Sequence, residues 1–316
     1  MARAILKKTR ETRVRSGHPW VFASDVETVE GAFEPGDVVE VASSKGTYQG
    51  RAFYNPKSQI ALRMLTRHDE PVDEAFFRRR VRDAIEYRRK FSDMDSCRLI
   101  FAESDFLPAL IVDKFADVLA LQSLCLGIEK WKDLIVRILA EEIGPRGIYE
   151  RNDVPVRRLE GMEQVTGLLY GEVPDRVEMK ENGVRYLVDV KSGQKTGFFL
   201  DQKENRAAIR PLSAGARVLD CFCHNGSFAL NAANCGASDV LGVDISEEAV
   251  AVARENAQLN RLSAARFEAA NCFDFLRELS DKKELFDLVI LDPPAFTKTR
   301  AALASALRGY KEINLR

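Results

Sequence analysis

Arg217-Val218-Leu219-Asp220-Cys221-Phe222-Cys223-His224-Asn225-Gly226-Ser227-Phe228 is the stretch that decides the fold of this 316-residue chain. The apolar run Val218-Leu219, closed by Asp220, predicts a strand. The loop to Gly226 predicts a turn, and Phe228-Ala229-Leu230-Asn231-Ala232-Ala233 the helix that follows. The pattern then repeats. Val240-Leu241-Gly242-Val243-Asp244 predicts a second strand, with a helix from Glu247 to Leu259 behind it. Ala265–Ala269 and Phe286–Leu291 predict a third and a fourth strand. Strands alternating with helices predict a mostly parallel sheet covered by helices, and this character begins at about Val177.

In such a sheet a ligand binds outside the carboxyl ends of the strands, where the strand order reverses. The residues there are Asp220, Asp244, Asn271 and Asp292. Any one of them could simply cap the next helix; four in succession are harder to dismiss. Asp244 follows Asp220 by 24 positions, close to the spacing at which nucleotide-type folds present an acid to ribose hydroxyls. A carboxylate can accept from both hydroxyls at once. The loop lacks G-x-G-x-x-G and keeps only Gly226, whereas a pyrophosphate needs several bare backbone amides at close range. That disfavours a nicotinamide cofactor and suits S-adenosylmethionine (SAM), which carries no phosphate. After the fourth strand, Asp292-Pro293-Pro294 fixes a rigid, extended turn. The turn can hold a carboxylate and a carbonyl oxygen against the edge of a flat base, with Phe296 near enough to stack on it. The plainer reading of the tripeptide is a proline-rich strand exit.

Upstream, short apolar runs cut by turn residues (Val38–Val41, Gly50–Tyr54, Gln59–Leu65) predict a small β-barrel in residues 1–70. Residues 71–178 read as an α+β domain. It has a helix capped by Asp73, a hairpin of Ala109–Val112 with Val118–Gln122, a helix from Ile128 to Glu142, and a strand at Gly147–Arg151. Residues 179–316 form the sheet domain. A composition 46% hydrophobic and 30% charged, with a net charge of −1, is that of a soluble globular protein. No stretch approaches the ~18 apolar residues of a membrane span. The first residues are too short and too charged for a secretory signal. Six scattered cysteines read as reduced thiols in the cytoplasm. Cys221, Cys223 and His224 lack a second ligand pair, so zinc is disfavoured and metal dependence is not implied. Basic clusters at Arg3–Arg15 and Arg78–Lys90 could bind phosphate, or could be solvated faces.

Three stretches resemble motifs of class I RNA methyltransferases: Leu219–Phe228, Gly242–Ser246 and Leu291-Asp292-Pro293-Pro294-Ala295-Phe296. Gly193-Gln194-Lys195-Thr196-Gly197-Phe198-Phe199-Leu200-Asp201-Gln202-Lys203-Glu204-Asn205-Arg206 is similar to the signature of one family. That family comprises the large-subunit ribosomal RNA cytosine-carbon-5 methyltransferases with an N-terminal PUA domain. Ser16–Phe22 and Tyr54–Ser58 resemble its PUA portion, and Leu107–Asp113 its central domain.

The resemblance implies a PUA-like β-barrel, a central α+β domain and a Rossmann-like SAM domain, acting on large-subunit ribosomal RNA and compatible with a homodimer. It implies that Asp244 binds the SAM ribose and that Ile245 and Asn271 frame the adenine. Asp220, Phe222 and Gly226 would shape the methionine end, and Thr196, Phe199 and Arg206 would close over the cofactor. Asp292, with Pro293 and Phe296, would hold the target cytosine. The PUA barrel and the basic helix would grip RNA. The family's nucleophilic cysteine comes on a later strand, expected beyond Arg316. The natural protein is therefore expected to be longer, and this truncated chain inactive by itself, with its fourth strand a bare sheet edge. Two other functions stay open: methylation of an exocyclic base amine, and RNA binding without catalysis.

Overall fold

A computed structural model describes residues 1–297 and 299–315. It forms two compact units, Met1–Val177 with Val188–Phe198, and Glu178–Leu187 with Phe199–Arg316.

The first unit holds two sheets. The N-terminal sheet comprises β1 (Arg3–Leu6), β2 (Trp20–Val21), β3 (Val26–Glu30), β4 (Val38–Ala42), β5 (Tyr48–Tyr54) and β6 (Leu62–Thr66), in the order β2-β6-β5-β4-β1-β3. Ala4, Leu6, Val39, Val41, Ala52 and Leu62 form its core, with Val14 of the short helix α1 (Glu11–Arg15) packed on them. β6 starts three residues later than the alternation predicted, because Asn55 N donates to Ala61 O and closes a turn there. All five residues of β6 are buried. Arg63 is among them, paired with Glu160 at 2.8 Å, so an inward charge gave the strand its apparent period of two.

The second sheet contains β7 (Ser96–Phe101), β8 (Leu110–Phe115), β9 (Val118–Ser123), β10 (Gly147–Asn152) and β11 (Val165–Gly171), ordered β11-β10-β9-β8-β7. Helices α2 (Glu74–Phe91) and α3 (Leu126–Ile143) supply the rest of its core, and the short α4 (Val156–Leu159) precedes β11. Asp73 caps α2 by accepting from Phe76 N at 3.0 Å. The β8–β9 turn is tighter than the predicted Asp113–Asp117 loop. Asp113 lies inside β8, 1% exposed, and holds Arg98 through both carboxylate oxygens at 2.8 and 3.0 Å.

The second unit opens with a hairpin, β12 (Val177–Glu181) and β13 (Val184–Val188), whose outermost residues Val177 and Val188 group with the first unit. Short helices α5 (Lys203–Ala208) and α6 (Arg210–Ser213) follow. The chain then alternates β14 (Arg217–Cys221), α7 (Ser227–Asn234), β15 (Asp239–Asp244), α8 (Glu247–Leu259), β16 (Ala265–Ala269), α9 (Cys272–Lys282), β17 (Leu288–Leu291) and α10 (Leu303–Leu315). All four strands are parallel, in the order β16-β15-β14-β17. The chain steps outward from β14 to β16 and returns to the other side of β14 for β17. The switch point therefore lies at the carboxyl ends of β14 and β17.

Candidate active site

β14 delivers Asp220 to that switch point. Its side chain is 1% exposed, and it accepts from Ala229 N at 2.9 Å, in the first turn of α7. Burial pushes its carboxyl up to about 8 against the pull of that N–H, and the charges of Asp292 and Asp244 push the same way. The next residues turn sharply, with Phe222 (φ +63°), His224 (φ +50°) and Gly226 (φ +77°) all left-handed. Gly226 also has no room for a side chain. A Cβ there would stand 2.7 Å from Cε1 of Phe267 and 3.0 Å from Cβ of Ala253. Gly242 of β15 abuts the same ring, 2.5 Å from a Cβ position to Phe267 Cδ1. Two glycines thus hold one phenylalanine between them, and the loop can lie flat over β15.

Asp244 ends β15 facing this loop. One oxygen accepts from His224 N at 2.8 Å and the other from Ser246 N at 3.0 Å. Each oxygen keeps a lone pair for a ligand hydroxyl. Ile245 beside it is 72% exposed. Ala270 N donates to Asp244 O at 2.9 Å, which ties the ends of β15 and β16 together. Asn271 follows there, exposed, capping α9 by accepting from Phe273 N at 2.9 Å. Asp244, Ile245 and Asn271 therefore sit on adjacent strand ends, as a ribose and base pocket needs.

At the end of β17 the Asp292 side chain is exposed. Its Oδ2 accepts from Gln202 Nε2 at 3.2 Å, and Gln202 Oε1 accepts from Asn205 Nδ2 at 2.6 Å. Pro293 is half-buried behind it. Phe296 is half-buried. Its ring packs on Tyr310 at 4.4 Å and Phe273 at 5.6 Å, with Phe222 at 6.3 Å. The apolar faces of α9 and α10 take up one side of the half-buried Phe296 ring, which ties the turn to them.

Two further residues assigned to the cofactor are engaged elsewhere. Arg206 is 1% exposed and grips Glu181 at 2.6 and 2.9 Å, while its Nη2 donates to Phe199 O at 2.9 Å. A guanidinium leaving water this completely needs a paired carboxylate, and the hairpin strand β12 provides one. Thr196 belongs to the first unit, where it is 2% exposed and donates to Asp113 Oδ2 at 2.6 Å. Phe199 does reach the loop, its ring edge-on to His224 at 5.4 Å.

These residues fit SAM. The cofactor is a cation with hydroxyls and no phosphate, and the site is lined by carboxylates. His224 adds a buried Nδ1 with no well-formed hydrogen bond among the described residues, on an imidazole that burial pulls below its ordinary value, against Asp244 and Asn225, toward the neutral form. A buried polar atom without a good partner in this loop is one that a polar group of the cofactor could satisfy.

Residues 4–67 match the PUA-like domain family, and residues 157–314, half of the chain, match the S-adenosylmethionine-dependent methyltransferase family. A relative from Tolumonas auensis, named ribosomal RNA large subunit methyltransferase I, is 42% identical over 98% of this chain and 80% of its own. One of the same name from Aeromonas hydrophila is 42% identical over 99% of this chain and 81% of its own.

The chain belongs to the ribosomal RNA large subunit methyltransferase I family.

It is a SAM-dependent methyltransferase with an N-terminal PUA-like domain. The fold agrees. A solved structure from Streptococcus mutans, described as a SAM-dependent methyltransferase, superposes with a TM-score of 0.80 at 21% identity, covering 99% of this chain and 83% of that one. A methyltransferase solved in complex with SAH gives 0.82 at 21%, with the same coverage. Within this family member, the residues that sequence reading passed over are Gln202, Asn205 and the ring of His224. The first two lay inside the quoted signature, but nothing in their spacing revealed which carboxylate they would face. Several arginines of the basic helix α2 have acidic partners. Arg78 pairs with Glu74 and Glu142, Arg82 with Glu142, Arg79 with Glu70, and Arg88 with Asp105.

Proposed function

We propose that the full-length protein methylates carbon-5 of a cytosine in large-subunit ribosomal RNA. The observation that carries this reading is the convergence of Asp220, Asp244 and Asp292 on the carboxyl edge of β14, β15 and β17, around a loop with no phosphate cradle. When bound, SAM supplies an electrophilic methyl group. Asp244 takes the ribose hydroxyls, Ile245 and Asn271 frame the adenine, and Phe222 and Gly226 shape the methionine end with Asp220 beneath them. Phe199 covers the loop, positioned by Arg206 through its carbonyl. One oxygen of Asp292 accepts from the cytosine amino group and the other meets ring nitrogen 3 through a shared proton, with the Pro293 turn holding the carboxyl in place.

Carbon-5 of cytosine is a weak nucleophile until a thiolate adds to carbon-6; once carbon-5 carries the methyl group, it loses its proton and the thiolate is expelled, which restores the ring. Cys221 and Cys223 do not offer that thiolate. They are 0% and 4% exposed beneath the loop. A hydrogen bond with Cys272 and burial raise Cys221, and burial next to Asp220 and Asp244 raises Cys223. By the resemblance, that thiolate would come from a strand later than the fourth. The PUA-like domain holds the RNA, and the protein works in the cytoplasm, where all six cysteines stay free. Nucleoside mass spectrometry of unmodified large-subunit ribosomal RNA, treated with SAM and the full-length protein, tests the reading. New 5-methylcytosine is the expected product; a methylated exocyclic amine, or no product, would overturn it.

A further inference from the structure

We infer that one edge of the second sheet carries a stacking platform for unpaired RNA bases, formed by Phe106, Phe101, Tyr87 and Phe91 with Arg80 as its cation. The inference rests on the reading that the substrate is RNA. All four rings are exposed, that of Phe106 to 61%. Phe101 closes the edge strand β7, and Phe106 follows it across the short turn Ala102–Asp105. Both acids of that turn are already matched. Glu103 accepts from Trp20 Nε1 at 2.7 Å, and Asp105 holds Arg88 at 2.8 and 2.6 Å. Asp105 Oδ2 also accepts from Phe101 N at 2.6 Å. The same Arg88 lies 5.1 Å from the Tyr87 ring, which packs on Phe91 at 4.8 Å. One ion pair thus joins the turn to α2 and brings the two pairs of rings to neighbouring positions.

Phe106 holds a left-handed backbone, φ +57°, which penalises a bulky side chain and which glycine or asparagine would adopt more easily. A core residue would be compensated by burial; this ring points into water, and strain kept without packing in return marks a surface with a use. Arg80 lies between two rings, 5.2 Å from Phe76 and 5.0 Å from Phe106. It is the one arginine of α2 without a carboxylate partner among the described residues. Glu70 is held by Arg79 at 2.6 Å, and Asp83 does not reach Arg80. Rings that stack on any base, beside a guanidinium that takes a phosphate, are what a single strand needs. The contrast within the sheet favours RNA over a protein partner. The opposite edge strand, β11, exposes the aliphatic Val165 and Leu168, whereas the β7 edge exposes aromatic rings with an unmatched cation. Chemistry on a base also requires it out of the stack, so the RNA that such an enzyme binds includes unpaired nucleotides.

Fluorescence anisotropy of the full-length protein with labelled oligoadenylate, single-stranded or annealed to oligouridylate, tests this. Phe106→Ala removes the ring, Phe106→Leu keeps an apolar side chain without a ring, and Phe106→Tyr keeps the ring. The first two are expected to weaken single-strand binding about tenfold, the scale of one stacked base, and Phe106→Tyr to leave it as in wild type. Duplex binding and melting temperature should not change, because the ring is exposed. Arg80→Gln should weaken single-strand binding and flatten its salt dependence by about one phosphate contact. If Phe106→Leu binds the single strand like wild type, the ring is not what acts; the surface is then an apolar docking face for a protein, and the inference is overturned. It is equally overturned if the duplex loses as much as the single strand, if no variant changes binding, or if the losses track melting temperature. A wild-type protein that forms 5-methylcytosine while the variants bind unchanged would sink this inference alone. A wild-type protein that binds neither RNA would sink the RNA reading with it.

Discussion

The tightest packing around the cofactor loop gives the sharpest prediction. Replacing Gly226 with alanine places a methyl at φ +77°, 2.7 and 2.8 Å from two ring carbons of Phe267 and 3.0 Å from Ala253 Cβ. The left-handed backbone alone costs about 1–2 kcal/mol for a residue with a Cβ. The contacts add the cost of overpacking a buried site, about 1–3 kcal/mol, if the ring cannot retreat. It cannot go toward β15, because Gly242 already lies against its Cδ1 edge. The sum is about 2–5 kcal/mol against the second unit, with SAM binding lost as the loop is displaced. Urea unfolding read by a probe in this unit measures the stability, and calorimetry with SAH measures the binding. A double-mutant cycle separates the two contributions. Phe267→Leu by itself should destabilise through lost packing, yet added to Gly226→Ala it should remove the clash and leave the backbone cost, a coupling above about 1 kcal/mol. The reasoning is refuted if Gly226→Ala stays within about 0.5 kcal/mol of wild type. Strict additivity with Phe267→Leu would refute the steric part.

Asp220, pushed up to about 8 from an ordinary 3.8, holds its proton far more tightly folded than unfolded. Its contribution is therefore fully present below about pH 4 and lost as the pH rises toward about 8. Asp220→Asn keeps an acceptor for Ala229 N, and the wild-type minus variant difference in unfolding free energy should fall steadily over that window; a flat difference would contradict it. Arg206→Ala leaves the 0%-exposed Glu181 carboxylate unpaired and should cost about 3–5 kcal/mol in urea unfolding, whereas Arg206→Met with Glu181→Leu should recover most of it. Were Arg206→Ala instead to weaken SAH binding at unchanged stability, the arginine would be a cofactor ligand after all. His224→Phe keeps the ring and removes the orphaned Nδ1, so SAH should bind about tenfold more weakly at the same apo melting temperature. Unchanged affinity would show that the cofactor does not use that nitrogen.

The sheet domain was legible because each strand is a short apolar run ending in a polar residue at a turn; α8 and β16 match their sequence boundaries. β11 was missed because it is an exposed edge strand with no alternation to read. The site was legible where a residue acts from a strand end, as Asp220, Asp244 and Asp292 do. It was not legible where function depends on what a side chain meets. Arg206 lies in the signature but meets Glu181, and Phe296 lies beside the base turn but meets Tyr310. Burial partners of that kind are fixed by tertiary packing, which motif spacing does not encode.

The arginines of α2 change what kind of bond a polyanion could form with the first unit. The guanidinium groups of Arg78, Arg79, Arg82 and Arg88 are already held by Glu74, Glu70, Glu142 and Asp105. A phosphate arriving there would evict a carboxylate instead of releasing a loosely condensed counterion, so charge would be exchanged and not newly neutralised. Salt that screens the half-exposed pairs of Arg79 and Arg82 would free those arginines, so the charge that α2 offers depends on ionic strength, while Arg78 and Arg82 tie α2 to Glu142 of α3.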